Sequence, residues 1–177
     1  MVSNDGGNVK IRTMVASGAA AVGLAATTAV GAAGTASAAP VPVPGVWDAI
    51  AQAVYYVGQN DFCTGVIDMR VESDPAKPGS ATVIGYSRGA SGHGAWNAES
   101  TCTIDFALTY NDAGSIEQNK KQLRIDVPTY PTEVLREEIH PGSGLIALTT
   151  GVSFQDVHTY AFIPQYSMGA RGYLLVP

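Results

Sequence analysis

Charge is scarce in this chain: Asp, Glu, Lys and Arg make up 14% of its 177 residues, and none occurs from Thr13 to Trp47. There are only two cysteines, Cys63 and Cys102, and no Cys-x-x-Cys pair. The three histidines, His93, His140 and His158, are scattered and form no close cluster. Without grouped thiols or imidazoles the sequence lacks the ligand spacing of a zinc site, so no metal and no other cofactor is expected. The shortage of Lys and Arg excludes a second class. Beyond residue 38, eight basic residues face fourteen acidic ones, a net of −6. Binding to nucleic acid or to an anionic membrane depends on concentrated positive charge, so neither is expected as a partner. Lys120, Lys121 and Arg124 form the one basic cluster, and it reads as a solvated strand face.

The uncharged stretch has a direction. Lys10 and Arg12 precede it, Ala, Gly, Val and Thr dominate residues 14–34, and Ala36-Ser37-Ala38 closes it with small residues. A basic start, an apolar middle and an A-x-A end make a secretory signal. Cleavage is expected after Ala38. One residue later, Pro40 would stand directly after the cut. A retained membrane anchor is the rival, but Ala, Gly and Thr drive insertion weakly compared with Leu, Ile and Phe. No cysteine near the cut offers a lipid attachment site, and no Arg-Arg pair precedes the apolar run, which points to the general secretory route. The sequence therefore divides into a signal peptide, 1–38, a proline-rich spacer, 39–46, and one domain, 47–177. The mature chain contains no transmembrane run.

Trp47, Ile50, Ala51 and Val54 repeat at helical spacing, with Asp48 in the first turn and Gly58 as a stop, so one short N-terminal helix is expected. From Phe62 the period switches to two. Cys63, Gly65, Ile67, Met69 and Val71 alternate with more polar neighbours, as do Cys102, Ile104, Phe106, Leu108 and Tyr110. Further strands are expected over 81–87, 122–127, 132–140, 145–150, 157–163 and 172–176. Seven or eight short strands with turn residues between them predict an all-β, antiparallel sandwich.

Both cysteines fall on apolar strand faces in an exported chain, so a Cys63–Cys102 bridge is expected. It would stabilise the fold by about 4 kcal/mol in the chain-entropy treatment. A core bridge between strands resembles the immunoglobulin-like sandwich in outline. The likeness is limited: no Trp follows Cys63 at the usual distance, and the 39-residue cysteine separation is short.

One motif suggests chemistry. Gly85-Tyr86-Ser87-Arg88-Gly89 fits G-x-S-x-G, in which flanking glycines permit the tight strand-to-helix turn of a hydrolase nucleophile. Ser87 would be the nucleophile, His158 or His140 the base, and Asp112 or Asp126 its orienting acid. Its surroundings argue otherwise. Ala90-Ser91-Gly92-His93-Gly94 follows where a helix is required, and each glycine costs about 1 kcal/mol in a helix. Ser87 is therefore read as a strand residue, with the serine hydrolase kept as the alternative. Trp96, in a glycine-rich loop, is the one candidate binding residue: its ring could stack on a sugar or a protein partner, or fold back to cap the domain. Glu137 and Glu138 are adjacent and so point to opposite faces of a strand, a poor arrangement for paired carboxylates.

The expectation is a small exported, disulfide-stabilised β-domain without enzymatic activity. It would bind a protein or carbohydrate ligand beyond the cell membrane, or remain associated with the envelope.

Overall fold

The computed structural model describes residues 39–47 and 52–177, and the expected signal peptide lies outside them. Eleven strands are present among the described residues, with no helix. In chain order they are β1 (Val41–Pro42), β2 (Gly45–Trp47), β3 (Ala53–Val57), β4 (Thr64–Ser73), β5 (Ala81–Ser91) and β6 (Thr101–Asp112). Then follow β7 (Asn119–Pro128), β8 (Thr132–Ile139), β9 (Gly144–Val152), β10 (Tyr166–Met168) and β11 (Ala170–Val176). All pair antiparallel, in two sheets. The first runs β10-β3-β4-β5-β8, with β1 beside the end of β4; the second runs β2-β11-β9-β6-β7.

The period-two pattern explains why these segments are strands. In β6, Cys102, Ile104, Phe106, Leu108 and Tyr110 are all buried, and the residues between them are not. Ile67, Met69 and Val71 do the same in β4. These rows meet Val83 of β5, Ile146 and Leu148 of β9 and Leu174 of β11 in one hydrophobic cluster fed by both sheets. Burying each such side chain stabilises the fold by roughly 1.5–3 kcal/mol.

Cys63, just before β4 in the first sheet, is bonded to Cys102 of β6 in the second, with the Cα atoms 5.7 Å apart. Both cysteines are fully buried.

One expected strand is corrected, and two other segments differ in detail from the expectation. Part of the expected helix, residues 48–51, lies outside the described residues; Trp47 belongs to β2 and Ala53–Val57 form β3. Val54-Tyr55-Tyr56-Val57 is a β-branched and aromatic run that suits a pleated surface, and Val54 and Tyr56 both turn inward. Residues 157–163, expected to be a strand, belong to a loop. Asp156 Oδ1 there accepts hydrogen bonds from the His158 and Thr159 amides and the Thr159 hydroxyl, which closes a turn. The spacer 39–46 is also part of the sheets. β1 pairs with β4, β2 pairs with β11, and the intervening Val43 is buried with its N–H donated to Val71 O at 2.9 Å. Its prolines are tolerated because the pairings are short and peripheral.

Candidate functional site

The G-x-S-x-G residues build a bulged strand. β5 continues through the motif to Ser91 without a helix. Opposite Gly65–Ile67 of β4, β5 carries an extra residue at Arg88-Gly89, and Gly89 has φ +97°. A Cβ on Gly89 would lie 2.5 Å from Thr129 O, and one on Gly85 would lie 2.9 Å from Ile67 Cγ2. The glycines are thus required by the bulge and by core packing. Ser87 points inward, is fully buried, and its Oγ accepts the Gly89 N–H at 2.9 Å. The buried Tyr56 hydroxyl lies near it without hydrogen-bonding geometry. Burial pushes that phenol up to about 12, with the Ser87 hydroxyl partly offsetting the rise.

The histidines lie elsewhere. His140 is exposed, with Nδ1 3.0 Å from Ser80 Oγ, next to Ala81 at the start of β5. Ser87 is six residues along that strand, roughly 20 Å away at the rise of an extended chain. His158 is exposed in the loop that Gln122 Oε1 anchors by accepting the Val157 N–H at 2.9 Å. Neither histidine is a hydrogen-bond partner of Ser87. Asp126 Oδ1 accepts the Thr103 hydroxyl, and Asp112 Oδ1 accepts the Gly114 amide. Trp96 lies over Gly92 and against the hydrophobic cluster, the position of a ring folded back to cap the domain.

The structure brings a different group together. The 57–62 turn and the 162–166 segment flank an open cleft of about 450 Å³, lined by residues that include Gln59, Asp61, Phe62, Phe162 and Tyr166. That volume lies within the range of small-ligand sites. The rings of Phe62 and Phe162 are 80% and 75% exposed, far more than a phenylalanine in a packed domain.

The cleft has a rigid base. Gly58 rests on the disulfide, its N–H donated to Cys63 O at 2.7 Å. Asn60 Nδ2 donates to Thr101 O, and Asn60 Oδ1 accepts the Thr103 N–H at 3.0 Å. Gln59 Nε2 donates to Asp105 Oδ2 at 2.6 Å and to Gln165 Oε1 at 3.2 Å. Buried Gln165 is fully engaged: Oε1 also accepts the Asp105 N–H, and Nε2 donates to Asp105 O and Ser153 O.

Backbone conformation sets this region apart. Asp61, Phe62 and Tyr160 have φ of +49°, +46° and +57°, the three non-glycine residues with positive φ among those described. Such conformations cost on the order of 1–3 kcal/mol each and gather at functional sites. Left-handed backbone at Phe62 turns its ring out of the alternation that β4 begins.

Sequence reasoning did not find this cleft. Phe62 reads as the first residue of an alternating strand and Phe162 as a residue of the strand expected over 157–163. Their partners lie about a hundred residues apart in the chain. The one local signal was Gly58-Gln59-Asn60-Asp61, a run rich in turn formers placed before a cysteine.

Among the described residues no group of three or more His, Cys, Asp or Glu side chains is placed to hold a metal ion, and no helix is long and apolar enough to cross a membrane. No family model, curated protein or solved structure matches the chain.

Proposed function

We propose that this chain is an exported, disulfide-stabilised β-sandwich, immunoglobulin-like in outline, that binds a neutral polysaccharide without chemically altering it. Export is supported by the leader pattern from Lys10 to Ala38 and is compatible with the Cys63–Cys102 bond. The sandwich is supported by the two antiparallel sheets sharing one cluster of apolar side chains.

The observation that carries the binding reading is the pair of exposed rings, Phe62 and Phe162, held over a braced cleft. A β-linked pyranose with equatorial substituents has flat C–H faces that fit an aromatic ring, while its hydroxyls need acceptors such as the Asp61 carboxylate. Among the described residues no Lys or Arg lines the cleft. An anionic polymer would therefore meet Asp61 without compensation, which favours a neutral ligand.

Co-sedimentation of the protein with insoluble cellulose, chitin and xylan tests this. The protein should pellet with at least one of them, and Phe62→Ala and Phe162→Ala should remain in the supernatant while melting near the wild-type temperature. Failure to pellet with all three would overturn the reading. Fractionation of producing cells into medium, envelope and cytoplasm tests export, which requires the first or the second.

A further inference from the structure

The cleft continues onto a sheet face. Tyr166 of β10 is paired directly with Val57 of β3, and Met168 with Tyr55, so these four side chains share one side of the sheet. Val57 and Tyr55 lie opposite Thr64 and Val66 of β4, and Thr64 lies opposite Ser91 of β5. This is the outer side, because Val54, Tyr56 and Ile67 occupy the core side of the same strands. A second depression of about 420 Å³ lies on it, lined in part by Tyr55, Thr64, Val66, Arg88 and Ser91. Tyr166 and Val57 line the cleft while Tyr55 and Thr64 line the second depression, so the two meet along one row of side chains. From β10 to β5 the row crosses three strand spacings, roughly 14 Å, in addition to the cleft itself.

The chemistry along the row is uniform. Tyr55 and Tyr166 offer half-exposed or exposed rings, and Thr64 and Ser91 offer hydroxyls. Arg88 is the one cation lining the second depression among the described residues, and Asp68 matches it: Nε donates to Oδ2 at 2.8 Å and Nη2 to Oδ1 at 2.6 Å. That fork holds the guanidinium flat and neutralised, with an N–H left for a ligand hydroxyl.

We infer that Tyr55, Thr64, Arg88 and Ser91 form a second subsite, continuous with the Phe62–Phe162 cleft, and that the ligand is a chain of β-linked neutral sugars lying along both. This rests on the polysaccharide reading and specifies a polymer over a single sugar. The cleft grips one part of the chain, and the sheet face holds the sugars that follow. A track whose cation is matched by Asp68, and whose cleft presents the Asp61 carboxylate, selects against uronic acid and phosphate polymers.

Titration calorimetry with cellobiose and cellohexaose, and with chitobiose and chitohexaose, separates the possibilities. In at least one series the hexamer should bind wild type about tenfold or more tightly than the dimer, a gain worth about 1.4 kcal/mol. Tyr55→Ala should remove that gain and leave the dimer's affinity unchanged, whereas Phe62→Ala should weaken both. Tyr55 is a surface residue, so an unchanged melting temperature confirms that this variant is folded. Equal binding of dimer and hexamer, or a gain that survives Tyr55→Ala, would overturn the second subsite and leave the cleft in place. Absence of binding in both series would overturn the polysaccharide reading and the track with it.

Discussion

Gly58 lies against the disulfide so closely that a methyl group built on it would stand 2.4 Å from Cys102 Sγ and 2.7 Å from Cys63 Sγ. The residue connects β3 to the turn that carries Gln59, Asn60, Asp61 and Phe62, so whatever displaces it displaces the cleft. Gly58→Ala should destabilise the fold by about 1–3 kcal/mol, as overpacking does in a closed core. It should also weaken polysaccharide binding in a pull-down. A variant that melts and binds like wild type would show that the turn has slack.

The bond itself joins the two sheets. Cys102→Ala leaves that join to apolar packing and to the polar ties of Gln59, Asn60 and Lys121, and should cost about 4 kcal/mol by the loop-entropy treatment. The melting temperature should fall by roughly 10 °C or more for a domain of this size. Wild type heated in reductant should behave alike, since unfolding exposes the sulfurs. Identical melts with and without reductant would show that no bond contributes.

Ser87 and Gly89 act as a pair in the bulge. Ser87→Ala removes an acceptor from the part-buried Gly89 amide and should cost about 1 kcal/mol. Gly89→Ala adds both left-handed strain and a collision with Thr129 O, and should cost more. A fluorophosphonate probe should label neither wild type nor Ser87→Ala, because the hydroxyl is buried and is not bonded to a histidine. Labelling that vanishes in Ser87→Ala would restore the hydrolase reading.

Tyr56 makes the opposite prediction. Among the described residues its buried hydroxyl has no partner at hydrogen-bonding geometry and only the Ser87 hydroxyl near it, so Tyr56→Phe removes a desolvated polar group at little loss. Chemical denaturation should show a change within about 1 kcal/mol, in the stabilising direction if any. A large loss would reveal a partner for the phenol.

Acid should loosen the loop beside the cleft. The Thr159 amide, then the Thr159 hydroxyl and the His158 amide, hold the Asp156 carboxyl below its ordinary 3.8. A depressed value means the contribution is complete above about 3.8 and is lost as pH falls through the lower, folded value. Above about pH 5 the Asp156 contribution should be constant. Below about 4 the Thr159 amide should lose hydrogen-exchange protection in wild type, while Asp156→Asn should show a flat profile. A flat wild-type profile would mean that the turn does not need the charge.

The sheets were legible where one face is dry and the other wet. Ile67, Met69 and Val71, and the row from Cys102 to Tyr110, state their pairing through alternation alone, and the cysteines inherit a bridge from those two rows. β3 was hidden because Trp47, Ile50, Ala51 and Val54 coincide with helical spacing. The aromatic pair Tyr55-Tyr56, which splits between the two faces of a strand, was the better guide. The strand expected over 157–163 failed because Asp156 satisfies its own loop's amides, a competition that periodicity does not register. The cleft was illegible for a stronger reason. Phe62 and Phe162 become neighbours only after the sheets form, and the positive φ at Asp61 and Phe62 is imposed from outside by Asn60, Gln59 and the sulfur bridge.

The strap from Val41 to Trp47 has a practical consequence for anyone handling the protein. Because it pairs first with β4 and then with β11, exopeptidase trimming past Val43 would strip a clasp from the first sheet, and only further trimming through Trp47 would bare the β11 margin of the second. The mass of a trimmed protein then reports, sample by sample, which of the two pairings it still has.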